Sequence, residues 1–164
     1  MSKTISVFHL DDARSWRGGQ QQVLYLHRGL LQEGVDSTVV TPAGSTLAQR
    51  CSREDLPLWT LPLRGIGSLS SLWRLARAAQ SKGAILHSHT AHTHTTALLC
   101  CSLKPKLKLV VSRRVDFVPA STPLNRWKYQ NEHVDRYLAI SSGVERVLLK
   151  SGVPKERIAR VPSG

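Results

Sequence analysis

Short apolar runs rich in β-branched residues alternate with helix-patterned stretches along the whole chain. That alternation limits the fold more than any other feature. "TISVFHL" (Thr4 to Leu10) reads as the first strand, and "DDARSWRGG" as a loop. A helical pattern begins at Gly19: Val23, Leu26 and Leu30 recur at three- and four-residue spacing, with Leu31 beside them and His27 as the polar exception. Gly34 stands where a C-terminal glycine ends a helix. "DSTVVTP" is the next strand, "STLAQRCSRED" a short helix with Ser45 as its N-cap, and "LWTL" a brief strand. "SLSSLWRLARAAQSKG" is helical, placing Leu69, Leu72, Trp73 and Ala76 on one face and Arg74 and Arg77 toward another. "AILHS" is a strand, "HTTALLCCSL" a helix and "LKLVVS" a strand. "RRVDFVPASTPLNRWKYQ" is the longest irregular region. "RYLAI" is a strand, "SSGVERVLLKSG" a helix capped by Ser141 or Ser142, "PKERI" a short helix with Pro154 in its first turn, and "IARVP" a closing strand.

Strands that alternate with helices pair in parallel, because each crossover helix returns the chain to the same end of the sheet. The expected architecture is a Rossmann-like, doubly wound α/β fold: a mainly parallel sheet with helices on both faces. At 164 residues the chain makes one domain with a core of its own. In such a fold ligands bind beyond the carboxyl ends of the strands. "DDARSWRGG", the stretch after "AILHS", and "SRRVDF" all leave such ends, so three unusual loops are expected to meet at one cleft.

Composition excludes several classes. Apolar residues make up 41% and charged residues 21%, values of a globular chain. No stretch approaches the roughly 20 apolar residues of a membrane span, and the opening reads as a strand rather than a signal peptide. Cys51, Cys100 and Cys101 are odd in number and include an adjacent pair, so no disulfide framework is expected and a reducing cytoplasm is the simplest setting. Lys and Arg total 23 against 11 Asp and Glu, a formal charge of +12. That excess points to an anionic partner: nucleic acid, a membrane surface or a phosphorylated ligand.

The loops carry the candidate chemistry. Gly18 and Gly19, between a strand and a helix, let a ligand approach backbone N–H groups at a positive helix end, a setting that favours phosphate. The alternative is a tight turn. Neither a G-x-G-x-x-G fingerprint nor a P-loop is present. "HSHTAHTHTT" places His87, His89, His92 and His94, four of the seven histidines, within eight positions. His87 and His89 share one side of an extended segment. No nearby carboxylate or cysteine completes a recognised zinc spacing, so no metal is assigned. A strand-end and cap role, or a cleft histidine that binds a hydroxyl or transfers a proton, stays open. Arg113 and Arg114, at the end of "LKLVVS", form a candidate clamp for phosphate or carboxylate. The alternative is an ion pair with Asp116 or a solvated loop. No nucleophile elbow or hydrolase context appears.

With these stretches in view, the chain resembles the N-terminal domain of a GT-B glycosyltransferase of the family 4-type retaining group. "WRGGQQQVLYLHRGLLQEGVDSTVVTP" resembles that family's opening strand-end, glycine pair and helix. "AILHSHTAHTHTTALL" resembles its "DVVHAH" strand and the helix behind it, and "RYLAISSGVERVLLKSGVPKERIARVPSG" its "VS..V...L...G.P..KI.VIPNG" segment. The last match is the most specific. The resemblance implies two Rossmann-like domains across a cleft: an N-terminal one that binds the acceptor, spanning residues 1–164 here, and a C-terminal donor-binding one, absent from this chain, with a paired-glutamate motif. It implies transfer from a nucleotide sugar with retained anomeric configuration, with no cofactor and no essential metal. By motif, Gly18 and Gly19 lie near the donor phosphates or sugar and His89 lines the acceptor side. Where many relatives carry a histidine after the strand matched by "LKLVVS", this chain has Arg113 and Arg114, which favours an anionic group there. The final motif reads "PSG" rather than "PNG".

The reading that follows is the acceptor-binding domain of a cytoplasmic glycosyltransferase, acting on a cell-envelope glycan or lipid-linked acceptor such as lipopolysaccharide, with peripheral contact to the anionic inner face of the membrane. A basic nucleic-acid-binding module or a small metal-binding module is the alternative. Against nucleic acid, the aromatics are few and not interleaved with the basic residues, and no helix-turn-helix, RRM or KH signature appears.

Overall fold

The computed structural model describes residues 5–64 and 68–162. The expected strand start at Thr4 and the closing Ser163 and Gly164 lie outside them. The elements run β1 (Ser6–Leu10), α1 (Gly18–Gln32), β2 (Asp36–Thr41), α2 (Thr46–Arg53), β3 (Leu58–Thr60), α3 (Ser68–Lys82), β4 (Ile85–Ser88), α4 (Ala91–Leu103), β5 (Lys108–Arg113), α5 (Pro123–Gln130), β6 (Arg136–Ala139), α6 (Ser142–Lys150) and β7 (Ile158–Arg160). All seven strands are parallel, in the order β3-β2-β1-β4-β5-β6-β7. This is the expected Rossmann-like, doubly wound fold. The order reverses between β1 and β4, so a crevice opens there beyond the strand ends.

Alternation along the strands assigns the two layers. Val39 packs with Val23, Leu24, Leu47 and Cys51 under α1 and α2. Its neighbour Val40 joins Phe8, Leu10, Leu75, Leu86, Leu98 and Leu148 in the larger core on the opposite face. Burial of these side chains, about 1.5–3 kcal/mol each, supplies the main drive to fold. The thiols of Cys51, Cys100 and Cys101 are free and buried.

Local signals set the helix ends. Ser45 Oγ accepts from Ala48 N at 3.1 Å and Ser141 Oγ from Val144 N at 3.2 Å, so both expected caps form. Gly34 adopts φ +76°, which a side chain would disfavour. Three expectations are corrected. Residues 123–130, read as irregular, form α5: Thr122 Oγ1 accepts from Asn125 N and Pro123 occupies the first turn. "PKERI" shortens to a 3-10 turn, Lys155–Arg157, with Pro154 before it. Finally, α3 does not bury one uniform face. Leu75, Ala76 and Ala79 enter the core, whereas Leu69 and Trp73 are 75% and 56% exposed.

Candidate functional site at the switch point

The histidine stretch divides among three environments. His87 lies on β4, in register with His9 on β1. Two residues on, His89 leaves the same side of the strand, its N–H donating to Leu10 O at 3.1 Å. Thr90 then caps α4, exchanging side chain–backbone hydrogen bonds with Thr93. His92 is exposed and meets Leu63 O at 2.9 Å. His94 is buried edge-on to Tyr129 and Tyr137. So only His89 and Thr90 form the strand-to-helix link, because the helix starts before His92.

The imidazoles of His9, His87 and His89 gather where the sheet order reverses. Ring centroids of His87 and His89 are 4.1 Å apart, and those of His9 lie 5.3 Å from each. His9 Nδ1 is 3.1 Å from His89 Nε2, and His87 Nε2 is 2.8 Å from Ser112 Oγ. Burial is the main force that lowers all three pKa values, to about 3 for His87, and Arg114 adds repulsion in each case. The rings are therefore neutral near pH 7.

Arg114 joins this cluster to the glycine loop. Its Nη1 donates to Gly19 O at 2.5 Å and its Nη2 to His89 Nδ1 at 3.4 Å. With Nδ1 accepting, His89 carries its hydrogen on Nε2 and donates to His9 Nδ1. His9 Nε2 is left buried with no partner among the described residues. Burial lowers the Arg114 pKa, and the charge of Asp11 offsets part of that. Asp11 accepts from Ala13 N and from Gln20 Nε2, both at 2.9 Å, and burial raises its pKa. Asp12, also buried, receives Thr90 Oγ1 at 2.5 Å and pairs with Arg64.

Gly18 and Gly19 open α1. Among the described residues, a Cβ at Gly18 meets nothing within 4 Å, and one at Gly19 meets Arg114 Nη1 alone, at 3.9 Å. Neither glycine has a positive φ. Packing among the described residues thus gives no steric reason for either, and Arg17 supplies no side-chain cap to the amides there. The space over the helix end is free for another molecule's approach.

A cavity of about 400 Å³ beside the cluster is lined by His89, Arg113, Arg114, Phe117, Lys128 and Tyr129, among others. It brings His89 and both arginines together. Gly19 adjoins it through Arg114, while Gly18 is exposed outside it. The two arginines of the candidate clamp differ in environment. Arg113 is buried, with Nη1 donating to Tyr129 Oη and Nη2 to Phe117 O at 2.5 Å. It belongs to the wall, fixed by Tyr129 on α5. Arg114 is half-buried and faces the crevice. Among the described residues neither makes an ion pair with Asp116. Lys128 Nζ donates to Ala91 O at 2.6 Å and adds a third cation. The cavity is suited to an anionic group.

Sequence reasoning did not single out His9, Asp11, Asp12, Gln20 or Ser112. The two adjacent aspartates at a strand end were the available signal. His9 had none, since its neighbours come from a strand about eighty residues away.

Comparison with known proteins agrees with this architecture. Residues 16–164 match Glycosyltransferase Family 4. Among curated proteins, no sequence matches this chain. Among solved structures, a glycosyltransferase from Rickettsia africae ESF-5 superposes with TM-score 0.80 at 14% identity, over 98% of this chain and 43% of that one. Anabaena HepE in complex with UDP-glucose gives TM-score 0.79 at 11% identity, over 98% and 44%. The apo lipopolysaccharide outer core galactosyltransferase WaaB gives 0.69 at 10%, over 95% and 44%. The chain spans less than half the length of these structures. The parallel sheet, the switch-point crevice and a match over residues 16–164 place this chain in Glycosyltransferase Family 4.

Proposed function

We propose that this chain is the acceptor-binding domain of a retaining glycosyltransferase, which moves a sugar from a nucleotide-sugar donor to a cell-envelope glycan or lipid-linked acceptor such as lipopolysaccharide. The observation that carries this is the convergence of Arg114, His89 and the free amide end of α1 at the switch point, beside a cavity with further cations. Gly18 and Gly19 leave backbone N–H groups open to the donor phosphates or sugar, where the helix dipole favours negative charge. Arg114 holds an anionic group of a reactant, and His89 lines the acceptor side. The net charge of +12 suits a phosphorylated acceptor and peripheral contact with the anionic inner face of the membrane. Base and ribose contacts fall to a donor-binding domain outside residues 1–164. Transfer uses no cofactor and no essential metal. No helix among the described residues is long and apolar enough to cross a membrane.

The test is a transfer assay on the chain extended through a donor domain. It should take labelled nucleotide sugars and lipopolysaccharide-core acceptors, with the anomeric configuration of the product read by NMR. Transfer with retention is expected. Inversion, or no transfer to any envelope acceptor, would refute this assignment.

A further inference from the structure

We propose that His9, His87 and His89 form a three-imidazole site for one divalent transition-metal ion, of the class of Zn²⁺ or Ni²⁺, with its fourth position available to a small ligand. One ring nitrogen from each residue lies within 4.8 Å of the other two. Tetrahedral zinc with bonds of about 2.0–2.1 Å to imidazole sets its ligand nitrogens about 3.4 Å apart. His9 Nδ1 and His89 Nε2, at 3.1 Å, are near that spacing already. The three ligands come from rigid places: paired positions on neighbouring central strands, and the residue leaving the second strand. Neutral imidazole suits zinc, nickel and copper rather than magnesium or calcium. A further observation points the same way. Ser112 Oγ, 2.8 Å from His87 Nε2, is placed to orient that ring as outer partners of metal-bound histidines do.

Arg114 sets the terms of occupancy. To ligate through Nε2, His89 must carry its hydrogen on Nδ1, the atom that accepts from Arg114 Nη2 at 3.4 Å. The ion and this guanidinium contact therefore exclude each other. Loading the site turns Arg114 away from His89, and losing the ion lets Arg114 return. The site shares His89 and Arg114 with the cleft assigned above, but its zinc stoichiometry and cobalt spectrum are read without any transfer assay, so its failure and the failure of that assignment are distinguishable.

Calorimetry with Zn²⁺ and visible absorption with Co²⁺ test this on the chain itself. Expected are one equivalent of Zn²⁺ per chain and the intense visible bands of tetrahedral Co²⁺. His9→Leu and His87→Leu should each weaken binding at least about tenfold, as loss of an outer partner alone commonly does. His92→Ala and His133→Ala should bind as the unaltered chain does. Should the leucine variants not fold, Arg114→Ala decides. It keeps all three ligands and removes a competing charge, so Zn²⁺ affinity should rise about tenfold. Absence of stoichiometric Zn²⁺ binding, binding unchanged in folded His9→Leu and His87→Leu, or unchanged affinity in Arg114→Ala would each overturn the site.

Discussion

Arg113 and Arg114 are adjacent in sequence, yet alternation along β5 and its exit sends them to different tasks. Arg113 is a buried charge whose hydrogen bonds fix Tyr129 and the carbonyl of Phe117. Arg113→Ala leaves those groups without their donor and should lower unfolding free energy by about 2 kcal/mol, measured by chemical denaturation. Arg114→Ala should leave the melting temperature nearly unchanged, while lowering turnover of the donor-complete enzyme about tenfold or more. Normal turnover in that variant would remove Arg114 from the site. His94 and His27 give a pH-dependent counterpart. Burial lowers their pKa values from 6.5 to about 3 and about 4, with repulsion from Lys128 and Arg113 adding to the effect at His94. A histidine whose pKa falls on folding binds fewer protons folded than unfolded. Its contribution is complete above 6.5 and is lost as pH falls from there toward the folded value. Denaturation midpoints should therefore decline below about pH 6.5, and His94→Phe should flatten that decline. An unchanged slope in a folded His94→Phe chain would assign the effect elsewhere. At this scale the sequence was legible for residues whose partners are local. Ser45 and its cap follow from a few neighbouring residues. His9 was not legible, because the register of β1 on β4 brings His87 and His89 to it across the fold.

Among the elements, α3 presents a surface that its sequence pattern only half describes. The repeat of Leu69, Leu72, Trp73 and Ala76 reads as one buried stripe, but a helix on a sheet buries a narrower arc, here centred on Leu75, Ala76 and Ala79. Leu69 and Trp73 are left in solvent, with exposed Arg74 and Arg77 on the same helix and the Arg77 guanidinium 5.3 Å from the Trp73 ring centre. Exposed apolar side chains bracketed by arginine are the composition of an interfacial helix. Trp127 and Leu124 are likewise exposed on α5, which packs against α4 as α3 does. Sedimentation should show binding to anionic vesicles and little to neutral ones at low salt, and Leu69→Ser with Trp73→Ser should weaken it several-fold. Equal binding to both vesicle types, or none to either, would dismiss membrane contact. The strands and most helices were readable because period-two and three-to-four-residue patterns are strong in them. α5 was missed because its polar run, "NRWKYQ", carries little apolar period; its one clear sign was Thr122 before Pro123.

For the whole molecule, the alternation of strand and helix was enough to give the sheet and its parallel sense. What it did not give was strand order, and with it the switch point where β1 meets β4 and the glycine loop meets Arg114. That geometry sets what this chain does by itself. Its two clusters of buried side chains close on either side of a seven-stranded sheet, so it should fold without a second domain. It should not transfer sugar, since reaction requires both reactants held in reacting geometry and the donor's base and ribose contacts are assigned to another domain. A partial affinity remains. The helix end at Gly18 and Gly19 and the guanidinium of Arg114 should hold phosphate or the pyrophosphate of a nucleotide sugar weakly. Because those contacts ignore the sugar and the base, UDP-glucose, GDP-mannose and free pyrophosphate should bind alike in calorimetry, and all should weaken as salt rises. Arg114→Ala should weaken all of them together. Tight binding that distinguishes one nucleotide sugar from the rest, or robust turnover by these residues alone, would place the donor site within this domain and overturn the division of labour proposed for it.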